Sequence, residues 1–191
     1  MPAALLSRDD LIARLGDVFR EYGFEGASLS AITAATGLGK GSLYNHFPGG
    51  KDEMATAVLA HIDAWFERAV YAPLRETDHP RQAVAAMFAA VEAYFHGGGR
   101  ICLVGAFALD ATRDRFAAAV QDYFVRWIAA LAACLRRGGV KHAKAQAETI
   151  VAGIQGALVL SRALNDTAAF ARQLRQLQAQ ADAVLSDRGL A

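Results

Sequence analysis

Cysteine is scarce in this chain of 191 residues: only Cys102 and Cys134 occur, each inside an apolar helical pattern. Two isolated thiols build no disulfide framework, and buried structural thiols are the expectation. No N-terminal apolar run with a basic prefix and a small-residue cleavage site is present, so the sequence is read as cytoplasmic. Long hydrophobic runs are missing too. The most apolar stretch, Ile101 to Leu109, is interrupted by Asp110, Arg113 and Asp114 and is too short to cross a bilayer, so no membrane partner is expected.

An excess of one charge is equally absent, with 20 lysines and arginines against 19 aspartates and glutamates and a net charge of +1. Such a chain has no global basic field, and any nucleic-acid contact must be local. Its opening segment is no basic patch either: Arg8, Arg14 and Arg20 stand against Asp9, Asp10, Asp17, Glu21 and Glu25. His61, His79, His96 and His142 are dispersed, and the glycines before helices lack a phosphate-loop lysine and a preceding strand. No metal, cofactor or catalytic group is therefore expected, and the chain is read as a non-enzyme.

What the sequence does have is alanine and helical periodicity. The hydrophobic fraction of 54% is largely alanine, a strong helix former, which predicts closely packed helices and an all-α fold. Leu11, Ile12, Leu15, Val18, Phe19 and Tyr22 repeat near 3.6 residues and end at Gly23. Ser28 or Ser30 can cap a short helix to Ala35, Gly37 ends it, and a third segment runs from Lys40 to Phe47 before Pro48-Gly49-Gly50. Further helices are predicted from Lys51 toward Pro73, from Pro80 to Tyr94, from Arg113 to Arg137, from Ala143 to Leu164 and from Thr167 to Leu185. Ile101 to Leu109 reads as a short buried helix or a strand, its helical neighbours favouring the helix.

Short helix, glycine turn and short helix set the second helix at a steep angle to the first, so that its solvent face can enter a major groove. Here Ile32, Ala35, Leu38, Leu43 and Phe47 are expected inward, while Lys40, Ser42, Tyr44, Asn45 and His46 form a donor-rich outer face suited to phosphates and base edges. The ordered set Ser28, Ile32, Ala35, Gly37, Leu38, Lys40-Gly41, Leu43-Tyr44, His46-Phe47 and Lys51 resembles the DNA-binding signature of the TetR/AcrR family of transcriptional repressors. Gly39, where a serine cap is common, and Ala31, where an acidic residue is common, weaken the capping of the two helices. The one-residue-longer linker Pro48-Gly49-Gly50-Lys51, with Gly99 to Gly105, resembles the LmrA/YxaF-like branch.

The resemblance implies that Tyr44, His46 and Lys51 touch phosphates, with Ser28 a further candidate, and that Lys40, Ser42 and Asn45 lie nearest the base edges. It implies a three-helix DNA-binding domain over 1–50 and a six-helix effector-binding and dimerising domain over 51–191. Met87, Phe88, Val91, Phe95, Phe107, Phe116, Tyr123, Phe124 and Trp127 are the aromatic and apolar candidates to line an effector cavity. Small residues of the penultimate helix permit close helix approach, and the resemblance implies that the last two helices pair with a twofold mate; Gly153, Gly156, Ala157, Leu160, Leu174, Leu177 and Ala181 are the candidate interface. The implied function is a homodimeric repressor on palindromic double-stranded operator DNA, released by a small hydrophobic or amphipathic effector. The alternative is a helical protein-interaction module of the same fold without DNA binding.

Overall fold

In a computed structural model that describes residues 6–186, the secondary structure is helical throughout. The α-helices are α1 (Arg8–Gly26), α2 (Leu29–Thr36), α3 (Lys40–His46), α4 (Gly50–Phe66), α5 (Ala72–Glu76), α6 (Pro80–Tyr94), α7 (Leu103–Ala108), α8 (Thr112–Arg115), α9 (Ala117–Arg137), α10 (Ala143–Leu164) and α11 (Thr167–Ser186). The chain divides into two compact units, one of residues 1–63 with 103–120 and one of residues 64–102 with 121–191. The unit that holds the glycine turn thus takes in a mid-chain segment as well as the first helices.

That first unit is built on phenylalanine. Leu11, Leu15, Val18 and Phe19 line the buried face of α1, and Gly23 at φ +68° bends its last turn so that Phe24 also points inward. Phe107 of α7 meets Phe19 and Phe24 edge-on at 6.4 and 6.2 Å. Phe116 stacks on Phe107 at 5.6 Å and meets Phe24 edge-on at 5.3 Å. Burying Phe116 takes its own backbone out of helical geometry, to φ −118° and ψ 26°, which splits the expected Arg113 to Arg137 helix into α8 and α9. The apolar run from Ile101 resolves as the helix α7.

In the second unit the helix expected to end before Pro73 continues. A π-helical turn over Glu67–Tyr71 joins α4 to α5, with the Ala72 N–H donating to the Glu67 carbonyl, and Pro73 falls in the first turn of α5, where a missing N–H costs little. The turn is anchored by the Tyr71 hydroxyl, which donates to the Tyr123 carbonyl at 3.0 Å, and by Glu67, whose carboxylate receives both Arg75 and Arg126. These guanidiniums, Arg75 foremost, hold the Glu67 carboxyl below its ordinary range against the opposing effect of burial.

α10 and α11 pack face to face, with Leu177 seated on Gly153, where an added Cβ would fall 2.8 Å from its Cδ2. Asn165 in the left-handed region closes α10, and Asp166 accepts from the Ala168 N–H at 2.9 Å to start α11. Gly98, at φ +100°, lies under Phe170, and its carbonyl accepts from the buried Ser161 hydroxyl at 3.0 Å. By length and composition alone α9 and α10 could cross a bilayer. Within this unit that apolarity is used to bury Trp127, Leu131 and Leu135 on one helix and Ile150, Ile154 and Leu158 on the other.

Candidate nucleic-acid interface

The helix-turn-helix is held by a few local bonds. The Ser28 hydroxyl accepts from the Ala31 N–H at 3.2 Å and so caps α2. Gly37, at φ +72°, ends α2 in the left-handed conformation that only glycine adopts without strain. Gly39 is the N-cap of α3 and gives it no side-chain cap bond, as its residue type dictates. α3 is therefore fixed less by capping than by its buried anchors, Leu43 and Phe47, both fully inaccessible.

Ile32, Leu43 and Phe47 point inward as expected, but Ala35 is exposed and Leu38 only half-buried. Thr36 takes the inward place instead. Its hydroxyl donates to the Ile32 carbonyl at 2.7 Å and accepts from the Leu38 N–H at 3.3 Å, satisfying a buried oxygen and knotting the turn. Sequence periodicity gives no hint of this, because threonine scores as polar until its hydroxyl has a local partner.

Lys40, Ser42, Tyr44, Asn45 and His46 are all exposed along α3, Tyr44 at 43%, and Ser28 is exposed at the start of α2. The short helix thus presents a continuous hydrogen-bonding face with its apolar residues behind it. Lys51 is half-buried: its ammonium lies 4.5 Å from the centroid of the Phe24 ring, 3.4 Å from the Glu25 carbonyl and 3.9 Å from the Glu25 carboxylate. A phosphate at the start of α4 would compete with Glu25 for it. Two arginines of α1 escaped the sequence reading because their neighbours in the chain are acidic. Arg8 lies 5.1 Å from the centroid of the Phe47 ring and donates to the His46 carbonyl at 3.4 Å, and Arg14 donates to the Ala35 and Thr36 carbonyls at the negative end of α2.

The candidate effector residues fall into two sets. Phe107 and Phe116 belong to the phenylalanine core of the first unit, described above. Met87, Phe88, Val91, Phe95, Tyr123, Phe124 and Trp127 belong to the second, where Phe66 is the hub, 4.8 Å from Tyr123 and 5.2 Å from Trp127 between ring centroids. Trp65 and Tyr94, half-exposed and 4.4 Å apart, extend this cluster toward solvent. Trp127 is fully buried and its indole N–H has no acceptor among the described residues. The Tyr123 hydroxyl, beside the Cys102 thiol, makes no well-formed hydrogen bond, and burial first, then the nearby Cys102, Tyr71 and Tyr94, push its pKa well above 10.

The candidate interface residues also divide. Ala157, Leu174, Leu177 and Ala181 are buried inside the chain, where they hold α10 and α11 together. Gly156 and Leu160 are exposed and Gly153 half-buried, and α10 adds Val159 and Leu164, 58% and 64% exposed. A stripe of solvent-facing apolar residues on the penultimate helix is the feature that a count of small residues did not separate from the internal packing.

Comparison with known proteins decides what the turn belongs to. Residues 11–58 match the bacterial regulatory proteins of the tetR family, and residues 77–176, just over half of the chain, match the C-terminal domain of LmrA/YxaF-like transcriptional regulators. The chain belongs to the TetR family of transcriptional regulators. Its relatives include the regulator LmrA of Bacillus subtilis, 26% identical over 161 residues that cover 81% of this chain and 86% of LmrA. A TetR-family regulator from Legionella pneumophila shares the fold with a TM-score of 0.78 at 19% identity, over 94% of this chain and 99% of that one. The regulator CifR, solved as a cysteine mutant with a 26-base-pair double-stranded operator, matches at 25% identity with a TM-score of 0.69, over 97% and 99% of the two chains. The fold match covers the whole TetR architecture, DNA-binding helices and body alike.

Proposed function

We propose that this TetR-family regulator is a cytoplasmic repressor of the LmrA/YxaF-like branch that binds a palindromic operator as a homodimer and lets go when a small apolar or amphipathic effector occupies its helical body. The observation that carries the proposal is the division of α3: Leu43 is fully buried while Lys40, Ser42, Tyr44, Asn45 and His46 all face solvent. In this reading Tyr44 and His46 meet phosphates, Lys51 meets the flanking phosphate together with the positive end of α4, Ser28 adds a contact from α2, and Lys40, Ser42 and Asn45 reach base edges.

Dimerisation is supported by the exposed Gly156, Val159, Leu160 and Leu164 stripe, a second copy of which would remove apolar surface from water at roughly 25 cal/mol per Å². The effector site is supported by the Trp127 N–H buried without an acceptor among aromatic rings. An indole can only donate, and the Tyr123 hydroxyl keeps its proton, so the fitting effector is an apolar ring system carrying a hydrogen-bond acceptor. It releases DNA by binding the DNA-incompetent arrangement more tightly, and by linkage the operator weakens the effector equally.

A second reading rests on charge: residues 1–63 carry five lysines and arginines against eight aspartates and glutamates, which suits a helical interaction protein without DNA binding. A genomic pull-down with the purified protein separates the two. The proposal expects salt-sensitive enrichment of a few sites containing an inverted repeat, and the absence of any enriched site favours the interaction protein.

A further inference from the structure

The start of α4 is an electrostatic puzzle for a surface that must meet phosphates. Lys51 is the lone cation of that turn, and around it stand Glu25, Asp52 and Glu53. Glu53 caps the helix end from within, its carboxylate accepting from the Gly49 N–H at 2.7 Å. Asp52 is exposed and adjacent to Lys51 in sequence, and an uncompensated carboxylate there repels the same phosphate that Lys51 attracts.

The compensating charge comes from far along the chain. Arg115 closes α8, in the segment 103–120 that belongs to the same compact unit as the helix-turn-helix. Its Nη1 lies 2.9 and 2.8 Å from the two carboxylate oxygens of Asp52. Its guanidinium carbon lies 5.1 Å from the centroid of the Phe24 ring, the ring that also holds Lys51 at 4.5 Å. One buried aromatic thus gathers both cations at the start of α4. An ion pair whose side chains are 48% and 54% exposed contributes little to folding stability, so stability is a poor account of this geometry.

From this we infer that Arg115 is a positioning residue for DNA binding: by engaging Asp52 it neutralises a carboxylate beside the phosphate that Lys51 meets. The inference rests on the reading of α3 and the start of α4 as the DNA-facing surface. It also means that a residue of the mid-chain segment, remote in sequence from the helix-turn-helix, sets the affinity of that surface.

The test is a titration of a random-sequence duplex long enough for two half-sites, at several salt concentrations, because a phosphate effect needs no identified operator. Arg115→Gln is expected to weaken binding by about three- to tenfold near 0.1 M salt, as an unscreened like charge within a Debye length would. Arg113→Gln makes the same charge change on the same helix, but Arg113 pairs with Asp114, so that variant is expected to bind as the parent does. Adding Asp52→Asn to Arg115→Gln should restore most of the lost affinity, and Arg115→Lys should restore part of it. Circular dichroism checks that each variant is folded. Three results overturn the inference: parent-like binding by Arg115→Gln; equal weakening by Arg113→Gln, which would make Arg115 a plain contributor to net charge; or no rescue by Asp52→Asn, which would make Arg115 a direct phosphate contact. If the parent itself binds no duplex, the DNA-binding reading has failed, which the parent titration alone reveals.

Discussion

Replacing Thr36 with valine isolates the bonds that knot the turn. The side chain is 3% exposed, and valine keeps its branched shape while removing the hydroxyl that donates to the Ile32 carbonyl at 2.7 Å and accepts from the Leu38 N–H at 3.3 Å. The Ile32 carbonyl keeps its place in the helical ladder, but the half-buried Leu38 N–H loses its side-chain acceptor. Two neutral hydrogen bonds at about 0.5–1.5 kcal/mol each, less the gain from a more apolar side chain, give a destabilisation of about 1–2 kcal/mol. Thr36→Ser is the control: it keeps both bonds and loses one methyl, about 0.8 kcal/mol. Urea unfolding reads both values as midpoint shifts at constant slope. Because this turn sets the angle of α3, Thr36→Val should also weaken specific DNA more than random DNA, whereas Thr36→Ser should weaken neither. A valine variant as stable as the parent and unchanged on both duplexes would show that the turn is held by something other than this hydroxyl.

Gly37 offers a purer backbone test: a Cβ there would meet nothing within 4 Å, so Gly37→Ala should cost only the left-handed backbone penalty, about 1–2 kcal/mol, and Gly37→Asn distinctly less, both read from unfolding midpoints. Equal costs for the two would mean that the turn had changed conformation. In the second unit, Trp127→Phe removes an indole N–H buried without an acceptor along with some ring volume, and these oppose each other, so its stability should stay within about 1 kcal/mol of the parent. Trp127→Ala should cost about 3–5 kcal/mol. If the phenylalanine variant is as damaged as the alanine variant, the N–H has an acceptor after all and its link to an effector falls.

The helix-turn-helix was legible in the sequence because its punctuation is chemical: Ser28 caps, Gly37 turns left-handed, and Pro48-Gly49-Gly50 stops α3, each acting through its own backbone or side chain. What periodicity could not deliver was decided by packing at a distance. Phe116 lies in an apolar pattern continuous with α9, yet the rings of Phe24 and Phe107 pull it out of helical geometry and end α8 there. Pro73 reads as a helix stop, but the π-helical turn before it shifts the hydrogen-bond register so that the helix runs on to Glu76. The candidate face of α3 lies where its spacing implied, since a helix with two buried anchors has one free side. The effector and interface candidates were resolved only in part, because an apolar stripe looks the same whether it meets its own chain, as Leu174 and Leu177 do, or solvent, as Val159 and Leu164 do.

Whether α3 reads DNA is measured most directly by a titration of an enriched genomic site and a random duplex by the parent and three variants across a range of salt. Tyr44→Phe and Lys51→Ala should weaken both duplexes by similar factors, because phosphates are the same in every sequence, and Lys51→Ala should lower the salt slope by about 0.9. Asn45→Ala should instead narrow the difference between the two duplexes by about 1–3 kcal/mol, the discrimination of one base-edge contact. If all three variants stay folded and bind both duplexes as the parent does, α3 is not the recognition helix.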